Sequence, residues 1–140
     1  MSVEIIRFTV PGEPKSKLRH RTTNKGFNYT PKKTMEYENW VKQCYIIENG
    51  SKKVDGQIRA TIRAYFTIPG SSSKKKKAQM VEGMLRPTKN PDTDNIAKAI
   101  LDSLNSIAYD DDKSVVSLLV EKYYSESPRV EVVIESVDGN

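Results

Sequence analysis

Cysteine and histidine each occur once in this 140-residue chain, as Cys44 and His20. One cysteine cannot close an internal disulfide, which suits a reducing, cytoplasmic setting. One residue of each type cannot furnish a zinc site, and a Ser–His or Cys–His nucleophile finds no support. No apolar run approaches the roughly 18 residues that cross a bilayer. The opening Met1-Ser2-Val3-Glu4-Ile5-Ile6-Arg7-Phe8 lacks the basic-then-apolar order of a secretory leader. No segment repeats. A single domain over residues 1–140 is expected, because this length buries one sizeable core and not two.

Charge is what the chain has in quantity. Charged residues make up 29% against 36% hydrophobic, with a net charge of +5 that hides an asymmetry. Residues 1–33 hold eight Lys or Arg against two Glu, whereas residues 101–140 hold three basic residues against nine acidic ones. A basic arm on a fold with an acidic far end suits a polyanion at one face. The arm lacks an amphipathic period, which argues against a membrane-surface helix.

The chain alternates between two periods. Ile6, Phe8 and Val10 give residues 3–10 the alternation of a strand, closed by Pro11-Gly12. Residues 11–33 read as a long polar loop, of a length that is usually functional or disordered. A helix follows from Thr30 or Pro31 to Asn49-Gly50, with Met35, Trp40, Val41, Cys44 and Ile47 as its apolar face. Cys44 reads there as a small core residue. Ile58, Ala60, Ile62, Ala64, Phe66 and Ile68 define the clearest strand, residues 57–68, with a polar, partly basic opposite face. Lys74-Lys75-Lys76-Lys77 leads into a weak helix to about Met84 or a mobile loop. A central helix over Asp94–Ile107 carries a core stripe of Ile96, Ala97, Ile100, Leu101, Leu104 and Ile107. Its polar stripe is Asp94, Lys98, Asp102 and Asn105. Val115–Tyr124 and Val130–Ile134 are two further strands. The order β, α, β, loop, α, β, β gives an α+β fold with two main helices against one mixed sheet.

The chemistry concentrates in Pro91-Asp92-Thr93-Asp94-Asn95-Ile96-Ala97-Lys98 and in Asp110-Asp111-Asp112. Carboxylates this close raise one another's pKa and call for a cation. A hard divalent ion with oxygen ligands, Mg²⁺ or Mn²⁺, is the natural occupant. Bringing Asp110–Asp112 beside Asp94 requires the next strand to run back along the helix. The competing reading is plain: Asp before a helix is a common N-cap, and three aspartates in a turn are a common solvated loop. An EF-hand fails, because Ile96 and Ala97 stand where the loop needs an oxygen ligand and glycine. Lys98 has two readings, an exposed pair with Asp94 and Asp102 or a cation that faces a phosphate. His20, between Arg19 and Arg21, reads as a polar contact rather than a general base.

Taken together, these segments resemble the RusA family of Holliday-junction resolvases, small phage- and prophage-associated endonucleases. Asp92-Thr93-Asp94-Asn95-Ile96-Ala97-Lys98-Ala99-Ile100-Leu101-Asp102-Ser103-Leu104 fits the family's D-x-D-N-x-x-K-x-x-x-D-x-L core. Tyr109-Asp110-Asp111-Asp112-Lys113-Ser114-Val115 fits its later acidic pair. Pro14-Lys15-Ser16-Lys17-Leu18-Arg19 looks like its P-x-K-x-R-x-R entry, and Tyr29-Thr30-Pro31-Lys32-Lys33-Thr34 with Tyr37-Glu38 resembles its helix start. The resemblance implies a homodimeric α+β domain that resolves four-way DNA junctions by symmetric paired nicks, in recombination and repair, with Mg²⁺ and no organic cofactor. It implies metal-binding roles for Asp92, Asp94 and Asp112, with Asp111 as a further member, and makes Lys98 the catalytic lysine. Asp110 is an extra acid that leaves open which two of the three aspartates act.

Lys15, Lys17, Arg19 and Arg21 would then neutralise DNA phosphates, with Lys74, Lys75, Lys76 and Lys77 as further candidates or as a solvated loop. A second class stays open: a non-catalytic protein that holds branched DNA. The intact acid-and-lysine set favours the enzyme, because a pure binder gains nothing from carboxylates facing DNA. An enzyme for small phosphorylated substrates would not need so long a basic arm.

Overall fold

The computed structural model describes residues 2–17, 21–26, 28–29 and 32–138. Its central element is a four-stranded mixed sheet of β2 (Ile5–Pro11), β8 (Arg129–Ser136), β6 (Ile58–Thr67) and β7 (Val115–Ser125), in that spatial order. β8 runs antiparallel to both its neighbours, while β6 and β7 run parallel. A parallel neighbour needs a crossover, and here it contains α2 (Lys74–Val81) and α3 (Thr93–Ser103). Before it come α1 (Lys32–Asn49) and two minor pairs, β1 (Ser2–Val3) with β5 (Lys53–Val54), and β3 (Arg21–Thr22) with β4 (Asn28–Tyr29). The small β3–β4 pair lies inside the stretch expected to be loop. Thr30 and Pro31, the expected helix start, lie outside the described residues.

Alternation makes the sheet two-faced. Ile6, Phe8 and Val10, then Ile58, Ala60, Ile62, Ala64 and Phe66, then Val130, Val132 and Ile134 are all buried on one side. α1 packs against β2 and α3, and α3 packs against β7, which closes one core over that side. The other face is less basic than its sequence suggests. Arg59 pairs with Glu135 and Arg63 with Glu121, glutamates supplied by the neighbouring strands.

Two expectations are corrected. α1 buries Thr34, Tyr37, Val41, Cys44 and Tyr45, so its inner face is rotated from the predicted one. Val41 and Cys44 are shared, but Ile47 is 78% exposed and Trp40 40% exposed. The tyrosines explain the shift. Tyr45 packs edge-on against Phe8 and its hydroxyl donates to the Lys52 carbonyl, so a residue with a polar tip serves as core. α3 also stops four residues short of the expected Ile107. Ser106 adopts a left-handed backbone with φ of 67°, and the buried Tyr109 hydroxyl donates to the Leu101 carbonyl at 2.6 Å, satisfying an end-of-helix acceptor.

The rotated face is testable. Val41→Ala should lower unfolding free energy by about 2 kcal/mol, whereas Ile47→Ala should stay within about 0.5 kcal/mol of the parent in chemical denaturation.

Candidate active site

α3 carries the site along its length. Asp92 is its N-cap: its carboxylate accepts from the Asn95 amide at 3.0 Å, as expected for an acid ahead of a helix. Asp94, in the first turn, is exposed, and the Lys98 ammonium stands 3.3 Å from its carboxylate. Two turns further on, the partly buried Asp102 meets the Lys17 ammonium at 2.6 Å. Burial alone would lower the Lys17 pKa, but the Asp102 carboxylate more than reverses this and holds it above the usual value.

Asp112 joins this far end. Its amide donates to the Asn105 side-chain oxygen at 2.8 Å. Burial, followed by the hydrogen-bonded Asp102 carboxyl and then the Asp111 charge, raises its pKa above the ordinary carboxylate range. Asp111 caps the short 3-10 turn Asp112–Ser114, accepting from the Lys113 amide. Asp110 turns away to the Lys53 ammonium at 2.6 Å, which depresses its pKa. Of the three consecutive aspartates, Asp112 therefore faces α3 directly, with Asp111 contributing charge.

The strand after the turn does run back along α3, but with Asp112 at the helix C-terminal end. The residue it delivers toward Asp92 is Lys122, lowered in pKa by burial with the Asp92 charge opposing. Asp94 and Asp102 are eight residues apart, about 12 Å along a helix. The structure thus brings together Lys17, Asp102, Asp111 and Asp112 at one end of α3. It places Asp92, Asp94 and Lys98 toward the other. Among the described residues, no three His, Cys, Asp or Glu stand close enough to form one metal cage. The donor chemistry of the Asp102–Asp112 pair nonetheless fits a hard divalent ion. Both are oxygen donors, and their mutual repulsion is what such an ion relieves.

In the sequence, Asp102 stands as a partner of Lys98 and as the last acid of the motif, and Asn105 only as a member of the polar stripe; neither is assigned to the metal site. Their i+8 and i+11 spacing from Asp94 was the available signal. Among the predicted basic contacts, Arg19 lies outside the described residues, as does His20, and Arg21 pairs through its backbone in β3. Lys74–Lys77 form the exposed first turn of α2, capped by Ser73, whose side chain accepts from the Lys76 amide. Four lysines at a helix N-terminus oppose the helix dipole, an arrangement that a polyanion would offset.

A small α+β domain with carboxylates and a lysine along one helix, met by Lys17 of the basic arm, has side chains suited to phosphodiester chemistry. The comparisons place it more narrowly. The family model described as endodeoxyribonuclease RusA matches residues 11–135, and the chain belongs to that family. It is also 38% identical over 142 residues to Uncharacterized protein YqaN of Bacillus subtilis (strain 168), covering 98% of this chain and all of that protein. No helix among the described residues is long and apolar enough to cross a membrane.

The Asp102–Asp112 pair makes a stability prediction. A carboxyl that holds its proton more tightly when folded contributes stability below the ordinary carboxylate pKa and loses it as pH rises through the raised value. Asp112→Asn should therefore raise the urea midpoint in EDTA at about pH 7, and the gain should vanish near about pH 3.

Proposed function

We propose that this protein is a divalent-metal-dependent endonuclease that resolves four-way DNA junctions by paired symmetric nicks, acting as a homodimer in recombination and repair. Membership of an endodeoxyribonuclease family supports the nuclease class. The observation that carries the site is the Asp102–Asp112 carboxylate pair at the end of the lane that also holds Asp94 and Lys98.

Asp112, with Asp102 and Asp111 beside it, would hold Mg²⁺, with Mn²⁺ as a substitute. Asp94 presents a second exposed carboxylate on the same helix face. Asp92, besides capping α3, keeps one carboxylate oxygen outside that hydrogen bond. When bound, the ion polarises a phosphate oxygen and lowers the pKa of a coordinated water. Lys98 offsets charge that develops on the scissile phosphate. Lys15, Lys17, Arg19, Arg21 and the α2 lysines would position the DNA backbone. With about six phosphate contacts, log affinity should fall with log salt at a slope of about −5.

Dimerisation is supported by β7. This 11-residue strand is one of the two edges of the sheet, and its Val116, Leu118 and Leu119 are exposed large hydrophobic residues. Long apolar edges in native proteins are normally covered. A two-fold β7-to-β7 contact would cover this one and place two sites symmetrically, as two opposed nicks require.

Asp94→Asn and Asp112→Asn should each reduce junction nicking by about 100-fold or more while retaining junction binding. Labelled four-way junction, linear duplex and Y-fork DNA with Mg²⁺, Mn²⁺ or EDTA provide the assay. Tight junction binding without nicking under any metal would instead identify the non-catalytic binding protein. Leu118→Lys with Leu119→Lys should give a monomer by light scattering, and uncoupled single nicks in a supercoiled cruciform.

A further inference from the structure

One feature outside the carboxylate lane combines an aromatic ring, free cations and space. Trp40, expected in the core, is instead half-exposed at the mouth of a cavity of about 620 Å³ beside Lys15, Lys33 and Tyr37. Its ring is held in place, because the indole N–H donates to the Pro11 carbonyl at 3.0 Å. Tyr37 forms the inner wall beside the Lys15 backbone, and burial pushes its hydroxyl pKa up to about 12. Lys15 and Lys33 also line a second cavity of about 380 Å³ that reaches Asn90 and Pro91, immediately ahead of Asp92. The two cavities share Lys15 and Lys33, so these lysines border both the Trp40 ring and the residues just ahead of α3.

The charges beside the Trp40 cavity are unequal in availability. Lys15 and Lys33 make no ion pair among the described residues. The two acids on the walls are engaged: Glu13 accepts from the Thr67 amide at 3.0 Å and from its hydroxyl, and Glu36 stands 3.9 Å from the Lys32 ammonium. A fixed aromatic face beside two free ammonium groups is how proteins hold one unstacked nucleotide, base on the ring and phosphate on the cations. The volume suits a ligand of that size.

We propose that Trp40, Lys15 and Lys33 form a binding site for a single unpaired nucleotide, with the base against the Trp40 ring and its backbone phosphate between the two lysines. The neighbouring phosphate then lies toward Asn90, Pro91 and the start of α3. This deepens the endonuclease reading and rests on it for its purpose, though binding itself requires no metal and no cleavage. In a branched junction, the site takes a nucleotide freed from stacking at the branch and fixes the strand register relative to the carboxylates.

Trp40 is the sole tryptophan of the chain, so its emission reports the site directly. The protein is titrated in EDTA with a short oligothymidylate and, separately, with a blunt duplex, following tryptophan emission and the anisotropy of labelled DNA. The oligothymidylate should quench emission, and the duplex should bind without quenching. Trp40→Phe should keep most of the affinity, whereas Trp40→Ala should weaken oligothymidylate binding about tenfold. Lys15→Ala with Lys33→Ala, both exposed, should leave the thermal melt unchanged and flatten the log–log salt dependence by about 0.7, the share of the one phosphate they hold. Binding by anisotropy with unchanged emission would overturn the proposal, as would wild-type affinity and salt slope in the lysine double variant. No binding of oligothymidylate at all would overturn it equally. Quenching in a protein that never nicks a junction would uphold the nucleotide site and remove only the endonuclease reading.

Discussion

Two like-charged carboxyl groups, Asp102 and Asp112, are kept side by side at the C-terminal end of α3, and much of the surrounding structure serves that constraint. Such a pair costs free energy unless a proton or a cation intervenes. The chain supplies part of the compensation itself, through the Lys17 ammonium on Asp102 and the Asn105 side chain that fixes the Asp112 amide. Tyr109 sets the geometry beneath them. Its hydroxyl takes the Leu101 carbonyl, α3 ends at Ser103, and the chain folds back in time for Asp112 to face the helix it has just left. Had the helix continued to Ile107, Asp110–Asp112 would have been carried about one further turn away.

This arrangement relates the basic arm to the acidic site. Residues 14–17 run from the groove beside Trp40, which Lys15 lines, to Asp102, which the Lys17 ammonium meets at 2.6 Å. One short segment therefore links the nucleotide groove to the carboxylate pair. A polyanion that draws on Lys17 would also change the charge balance at Asp102.

The strands were legible because alternation leaves little freedom. Ile58 through Phe66 could bury only one face, and it does. α3 was legible for its stripe and not for its end, since its termination depends on Tyr109 and Ser106, contacts made after the helix in sequence. α1 was misread at its face because Tyr37 and Tyr45 look amphipathic in sequence, and only packing against Phe8 and the Lys15 segment makes them core. Motif spacing singles out Asp94, Lys98 and Asp112, and the structure places the first two on α3 and the third at its far end. Which carboxylate Asp112 meets was not visible, because that is decided by the direction of β7 relative to α3. Asp92 was legible in its bland role as a cap.

The central claim, that the Asp102–Asp112 pair is the seat of the divalent ion, is most directly tested by Mn²⁺ titration with NMR detection of backbone amides, in the absence of DNA. Paramagnetic broadening centred on Asn105, Asp111, Asp112 and Lys17 at the lowest Mn²⁺ additions is the predicted result. Broadening that begins at Thr93, Asp94 and Asn95, with the Asp112 amide unaffected, would contradict it and move the metal to the opposite end of α3.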